Sequence, residues 1–409
     1  MKQNLKQNRR FYIITLLIYI DMILYGFINS SRSIAYPLIK NEFGVSYDRQ
    51  GLMVSAIAVF SVIACIVAGI MLGRLGFRKS LMLGFAFILS GMFCFRLANG
   101  FLFAAAMFLL IQMGLGFFEI GLNGMGVSAF TAKSALMMSL LHFFYGIGAI
   151  IGPAYAGLMT GSMGRNWRYI YFFGLFPALL LGIFTFIAAP GKPTQSLLKK
   201  NGHEEDDSPP AKRLSFFSAL KEPVVWLFGI TMGFGSTVEV GTTNWSALYL
   251  QDVYGFDPKI QGALFVSIFY ILYTASRFLS GFIIEKIGYL KSITGGCVIV
   301  CLIFAAGFLL GERGIWILPV SGFFIAILYP TMLALSIPVF RENAQTVSSV
   351  IIPIAFTTNG LLQYSIGLIN RFIGAEWGYR SSLVFSVLTF FLLLAVRKKV
   401  KAINPRSYL

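Results

Sequence analysis

Glu119 stands inside the apolar stretch Ile111-Gln-Met-Gly-Leu-Gly-Phe-Phe-Glu119-Ile-Gly-Leu-Asn123. At hydrocarbon depth a carboxyl costs about 2.5–3.5 kcal/mol unless it is protonated, paired or facing water. A chain that keeps it there has a use for it, most simply proton exchange or the recognition of a polar solute. Asn123 follows at i+4 and therefore shares its helix face. A carboxyl and an amide so placed can hydrogen-bond hydroxyl groups, and low dielectric strengthens each bond. The plainer use of Glu119 is a helix–helix hydrogen bond from a permanently neutral acid.

Two more acids share the predicament, Asp21 and Glu239. Glu239 opens the run Glu239-Val-Gly241-Thr-Thr-Asn244-Trp245. Six residues turn a regular helix by about 240°, so Glu239 and Trp245 share a face only if the helix opens near Gly241. Asn244 would then line the break, and Trp245 could stack on a sugar ring or anchor the helix at the interface. Asp21 either lies in a proton path or pairs with a basic group. Arg32, in the same first segment, could pair with Glu119 or Glu239, read an anionic solute, or snorkel to the surface. His142 reads as a packed neutral histidine or as a substrate or proton group. Asn359 and Gln363, again i and i+4, are candidate hydroxyl partners. Arg277 is expected to tie its helix end to carbonyls or to Glu285 rather than to meet substrate.

These groups need helices in a bilayer to hold them. The chain has 409 residues, 57% hydrophobic and 12% charged, with a mean hydropathy of +0.77. A soluble fold could not hide that much apolar surface. Runs of about 20 apolar residues cross the hydrocarbon core, and twelve are expected, near 11–36, 50–72, 79–97, 101–128, 135–160, 167–189, 223–249, 261–284, 291–310, 315–338, 347–373 and 379–396. The net charge of +17 is a topology signal. With the amino terminus in the cytoplasm, roughly two thirds of the Lys and Arg fall on that side, which orients both termini inward. Nucleic-acid binding is not expected. Cys65, Cys94, Cys297 and Cys301 all fall within apolar runs and read as packing residues, and no metal-ligand cluster is visible.

A polar stretch at 190–222 contains Glu204-Glu205-Asp206-Asp207 and Pro209-Pro210 and reads as a cytoplasmic linker. It separates an amino-terminal half (11–189) from a carboxy-terminal half (223–396), with tails at 1–10 and 397–409. The halves repeat each other. Gly69-Ile-Met-Leu-Gly73-Arg74-Leu-Gly76-Phe-Arg78-Lys79-Ser80 recurs 212 residues later as Gly281-Phe-Ile-Ile-Glu285-Lys286-Ile-Gly288-Tyr-Leu-Lys291-Ser292. Gly44 and Gln50-Gly51 recur as Gly255 and Gln261-Gly262. Both loops resemble the cytoplasmic gating motif of the major facilitator superfamily, Gly-x-x-x-Asp-Arg-x-Gly-Arg-Arg/Lys. The first copy has Gly73 where the acid is expected, leaving Arg74, Arg78 and Lys79 to act alone. The resemblance implies an all-α membrane fold of twelve transmembrane helices in two six-helix halves.

Within that superfamily, four segments resemble the fucose/glucose sugar–cation symporter group. They are Gly116-Phe-Phe-Glu119-Ile-Gly-Leu-Asn123 in the fourth span, Leu141-His142-Phe-Phe-Tyr145-Gly146-Ile-Gly148-Ala-Ile-Ile-Gly152-Pro153 in the fifth, Glu239-Val-Gly241-Thr-Thr-Asn244-Trp245-Ser-Ala-Leu-Tyr249 in the seventh, and Tyr329-Pro330-Thr331 in the tenth. That likeness implies proton-coupled uptake of a sugar or similar polyhydroxylated solute by alternating access. Protonated Glu119 would accept substrate outside, then lose its proton inside and release it. Asp21 departs from the group's pattern, whose first-span acid lies four residues before a proline; Ser33 holds that place before Pro37.

The competing reading is a proton-coupled efflux antiporter of drugs or metabolites, suggested by Gly148-x-x-x-Gly152-Pro153. A transport-dead sensor or a membrane enzyme fits less well, since the tail is short and no nucleophile–base pair or phosphate loop is visible. The expected partners are a small solute and the lipid bilayer. The expected coupling ion is a proton, or else sodium, with no organic cofactor or metal. A monomer in a prokaryotic cytoplasmic membrane is anticipated from the fold and the short loops.

Overall fold

Backbone in hydrocarbon must satisfy its own hydrogen bonds, so an apolar chain of this kind folds into helices or a closed barrel. The computed structural model describes residues 2–129, 134–190 and 216–403 and contains helices without a strand among them. Most of the expected linker, 191–215, and the terminal residues 404–409 lie outside the described residues. The helices are α1 (Lys2–Phe43), α2 (Tyr47–Phe95), α3 (Phe101–Ala129), α4 (Ser134–Gly157) and α5 (Arg168–Ala188). After a single turn at Phe216–Ala219 come α6 (Pro223–Tyr254), α7 (Ala263–Ile287) and α8 (Tyr289–Leu309). A 3-10 stretch, Gly311–Val320, leads into α9 (Ser321–Ile325), α10 (Leu328–Phe340), α11 (Ala344–Phe372) and α12 (Ala375–Ile403).

Ten stretches are long and apolar enough to cross a membrane. One of them, α2, has 49 residues and leaves helical geometry at Gly76 (φ 78°, ψ 175°). At 1.5 Å per residue it is about 74 Å long, room for the two spans expected at 50–72 and 79–97. The remaining span is α11, 29 residues long and more polar because it carries Thr357, Thr358, Asn359 and Gln363. Twelve spans result. The helices also overrun their expected limits: α1 begins at Lys2, within the expected tail, and α12 continues to Ile403.

The internal repeat extends to the backbone. Positive φ is adopted by Gly44 and Gly255, by Gly76 and Gly288, and by Gly164 and Gly374. The third pair, 210 residues apart, precedes Trp167 and Trp377 at the same spacing. Side chains are strongly disfavoured at such angles, so the shared loop shapes constrain residue type more tightly than the helices do.

The chain divides into two compact units, Met1–Gly44 with Phe60–Asp207, and Val45–Val59 with Ser208–Leu409. In the first, α1 lies along α4 at backbone contact: a Cβ on Gly26 would meet the Tyr145 carbonyl oxygen at 2.0 Å, and one on Gly148 the Ile23 oxygen at 1.9 Å. Small residues permit such approach, and dispersion rather than hydrophobicity holds the helices together in lipid. At one end of this unit Arg168 pairs with Glu42 at 2.7 Å and donates from Nε to the Ala98 carbonyl at 2.9 Å, while Trp167 donates to Glu42 at 2.5 Å. Arg168→Ala is expected to cost about 1–3 kcal/mol, because it leaves the carbonyl of buried Ala98 without its side-chain donor and Glu42 without its cation. Glu42→Gln should cost less, and comparison of the two melting temperatures in detergent checks the order.

In the second unit α6 is the central helix, packed on α11 and α12. Tyr249 of α6 stacks on Tyr379 of α12 with centroids 4.4 Å apart. The start of α2 belongs to this unit, with Asp48 bonded to Arg371 at 2.6 Å and Gly51 against Gly367. The opening near Gly241 on which a common face for Glu239 and Trp245 depends is absent, and α6 runs unbroken from Pro223 to Tyr254. The interruption falls in the tenth span instead, at 326–327 between α9 and α10. Pro330, in the first turn of α10, lacks an N–H to continue the preceding helix yet is tolerated where α10 begins.

Candidate functional site

Each unit carries its own polar cluster. In the first, α3 presents Glu119 and Asn123, both half-buried. Asn123 donates from Nδ2 to the Glu119 carbonyl at 2.7 Å and to its Oε1 at 3.4 Å, so the i, i+4 pair does meet. The Tyr25 hydroxyl of α1 also lies within interaction range of the Glu119 carboxyl. One turn along α1, Asn29 donates to the Tyr145 hydroxyl of α4 at 2.7 Å, and the Tyr25 and Tyr145 rings meet edge to face at 5.1 Å. The close approach of α1 and α4 at Gly26 and Gly148 is what brings these hydroxyls and amides to one place. Three helices thus gather donors and acceptors around one carboxyl.

Tyr25, Asn29 and Tyr145 were missed as site residues. A signal existed for each. Tyr25 and Asn29 are i, i+4 polar groups within an apolar run, and Tyr145 adds a hydroxyl where the resembling pattern has phenylalanine. His142 is half-buried on α4, a turn from Tyr145.

Asp21 is placed elsewhere. It is fully buried (0% exposed) and accepts from Thr185 of α5 at 2.9 Å, while its Oδ1 has no partner among the described residues. The basic partner considered for it is replaced by a hydroxyl. The bond from Thr185 ties α5 to α1, and this acid sits against α5 rather than among the Glu119 cluster's hydrogen bonds. Arg32 donates to Gln112 of α3 at 3.2 Å, so an amide rather than either expected acid receives that bond.

In the second unit, the expected residues separate onto two sides of α6. Trp245 is 1% exposed and donates to Gln363 Oε1 at 2.8 Å. Gln363 in turn donates to Asn359 Oδ1 at 3.3 Å, and Thr237 donates to that same oxygen at 3.2 Å. These groups form a buried polar seam between α6 and α11, with Asn244 also buried nearby in sequence. Glu239 instead faces α7, where the Tyr273 hydroxyl donates to its Oε1 at 2.7 Å and Arg277 donates to Tyr273. Arg277 thus reaches the Tyr273 hydroxyl one turn back along α7, while the side chain of Glu285, the partner expected for it, lies outside the described residues. In an unbroken helix the 240° between Glu239 and Trp245 sends them to different neighbours.

The repeated loop motif is distributed as follows. Arg74, Lys79 and Lys286 are exposed, and no atom stands where a Cβ on Gly69 or Gly73 would go. Arg78 caps α5: its N–H donates to the Pro190 carbonyl at 3.0 Å and its Nε to the Ala189 carbonyl at 2.8 Å. Carbonyls at a helix C-terminus lack internal donors, and a cation there also complements the helix dipole. Gly288 shares the unusual backbone of Gly76 (φ 92°). The side chains at Gly281 and Glu285 lie outside the described residues. Among the described residues no cluster of His, Cys, Asp and Glu could hold a metal ion.

The chain is similar to known proteins along most of its length. It is 25% identical over 264 residues to an uncharacterized MFS-type transporter of Yersinia pestis, covering 64% of this chain and 63% of that relative. It is 24% identical over 331 residues to a candidate glucose/galactose transporter of Helicobacter pylori, covering 76% and 78%, and 27% identical over 282 residues to a candidate L-galactonate transporter of Escherichia coli, covering 63% and 57%. Its fold matches the crystal structure of a bacterial homologue of the human lysosomal transporter Spinster (TM-score 0.74, 17% identity, 98% and 99% covered). It also matches that of the D-xylose-proton symporter (TM-score 0.72, 14% identity, 93% and 97% covered). The family model of the Major Facilitator Superfamily matches residues 13–362. With twelve membrane-spanning helices and that match over most of its length, the chain belongs to the Major Facilitator Superfamily, a family of multi-pass membrane transporters.

Proposed function

We propose that this transporter couples the uptake of a sugar or similar polyhydroxylated solute to a proton gradient by alternating access, with both termini in the cytoplasm. The observation that carries the reading is the cluster in which Glu119 is met by Asn123 and Tyr25, beside Asn29 and Tyr145. Hydroxyl and amide groups around one titratable carboxyl are what a solute rich in hydroxyls needs. The likeness to relatives named for glucose, galactose and L-galactonate supports the same class.

The coupling follows from the cost of charge in hydrocarbon. Protonated Glu119 is neutral and can both donate to and accept from a solute hydroxyl. Ionised Glu119 only accepts, and moving it through a low-dielectric state costs several kcal/mol more. The loaded, protonated form therefore crosses more readily, and loss of the proton inside favours release. Arg32 supports a second reading in which the solute is a sugar acid, its carboxylate met by the guanidinium, in line with the L-galactonate relative.

The test is uptake of radiolabelled glucose, galactose, xylose, fucose, galactonate and polyols into proteoliposomes with and without an inward proton gradient. Gradient-driven accumulation of a neutral sugar is the expected result. Accumulation of galactonate alone would select the second reading. Absence of any uptake in tight, oriented vesicles would overturn both and favour efflux.

A further inference from the structure

Glu239 is held by a chain of donors whose direction chemistry dictates. Tyr273 donates to Glu239 Oε1 at 2.7 Å, and Arg277, one turn further along α7, donates to the Tyr273 hydroxyl. The guanidinium also lies over the Tyr273 ring, its Cζ 4.4 Å from the centroid. A guanidinium has no acceptor, so the Tyr273 oxygen accepts from Arg277 while its hydroxyl donates to Glu239. The positive charge polarises the hydroxyl and makes it a stronger donor to a carboxylate. Tyr273 is 1% exposed, which keeps bulk water from competing at its ring. The second oxygen of Glu239 receives no hydrogen bond among the described residues, and the side chain is half-buried rather than sealed.

We infer that Tyr273 and Arg277 are positioning residues that set the charge of Glu239: together they stabilise its carboxylate through Oε1 and leave Oε2 to accept from a solute hydroxyl. This rests on the transport reading in so far as it assigns the solute; the control of charge stands apart from it. The two acids then divide their work. Glu119, met by neutral donors, exchanges the coupling proton. Glu239, with a cation one hydroxyl away, stays available as an acceptor. On the other two helices packed against α6, Arg371 of α11 is bonded to Asp48 and Arg380 of α12 to Glu376. Tyr270, a turn before Tyr273, packs edge to face on the Tyr273 ring. The titratable groups of α7 that reach toward Glu239 are Tyr273 and, through its hydroxyl, Arg277.

The experiment needs no substrate. Infrared difference spectra of the purified full-length transporter are recorded across pH, and the carboxyl band of Glu239 is assigned by its loss in Glu239→Gln. In Tyr273→Phe the protonation midpoint of that band should rise by about one pH unit, since a donor to the charged form has gone. Arg277→Gln should raise it similarly, and Arg277→Lys, which keeps a cation and a donor, should restore most of the difference. An unchanged midpoint in Tyr273→Phe, in protein with a wild-type melting temperature, overturns the inference. If Arg277→Gln does not fold, Tyr273→Phe and Arg277→Lys still decide it. Galactose uptake at several pH values then separates the readings: a shifted band with no uptake by wild-type protein leaves the charge control standing and removes the sugar assignment.

Discussion

Glu119→Gln should reduce gradient-driven accumulation to the level of protein-free vesicles while leaving equilibrium exchange of the same solute running. Glutamine keeps the shape and can still accept from Tyr25 and Asn123, so the polar cluster survives. It cannot release a proton, so the solute crosses in either direction without regard to the gradient. The measurement is paired: accumulation against a proton gradient, and exchange with solute on both sides and no gradient. Wild-type accumulation by the variant would remove Glu119 as the coupling residue. Loss of exchange as well as accumulation would mean that the carboxyl binds solute in a way an amide cannot imitate. Tyr25→Phe offers an intermediate case, since it removes one donor without altering the titratable group.

Gly148→Ala should be severe for a single methyl. The added Cβ would lie 1.9 Å from the Ile23 carbonyl oxygen and 2.8 Å from the Phe27 nitrogen, both backbone atoms that no rotamer change can move. The helices α1 and α4 must separate by more than 1 Å to admit it, and overpacking of this sort costs about 1–3 kcal/mol or more. Separation also draws Asn29 away from Tyr145, whose 2.7 Å bond spans the same contact. The expected outcome is a lower melting temperature in detergent together with impaired solute binding. Gly295→Ala is the control, because nothing lies within 4 Å of its Cβ position and alanine favours the helix. Equal melting temperatures for the two variants would show that the α1–α4 contact yields more easily than its geometry suggests.

Much of this molecule is legible before any coordinates. Hydropathy locates the spans, because the bilayer demands a run of apolar residues of set length whatever the neighbours are. The repeated loop containing Gly76 and Gly288 is equally visible, since a positive φ restricts residue type and leaves a mark in sequence. Glu119 and Asn123 stand out for a related reason: polar groups in an apolar run are costly enough to be noticed, and an i, i+4 spacing fixes their common face.

Partners across helices are a different matter. Trp245 and Glu239 read as one site along the chain, yet α6 stays regular and turns one toward Gln363 and the other toward Tyr273. Asp21, as conspicuous in sequence as Glu119, is buried against Thr185. Tyr25, Asn29 and Tyr145 join Glu119 only because two glycines let α1 and α4 touch. The sequence alone determined the twelve apolar spans, the repeat and the acids that burden them, since each follows from local transfer cost or local backbone geometry. Which acid meets which hydroxyl, amide or guanidinium was decided by tertiary structure, because helix rotation and approach depend on packing against residues far away in the chain, and no spacing within one helix encodes them.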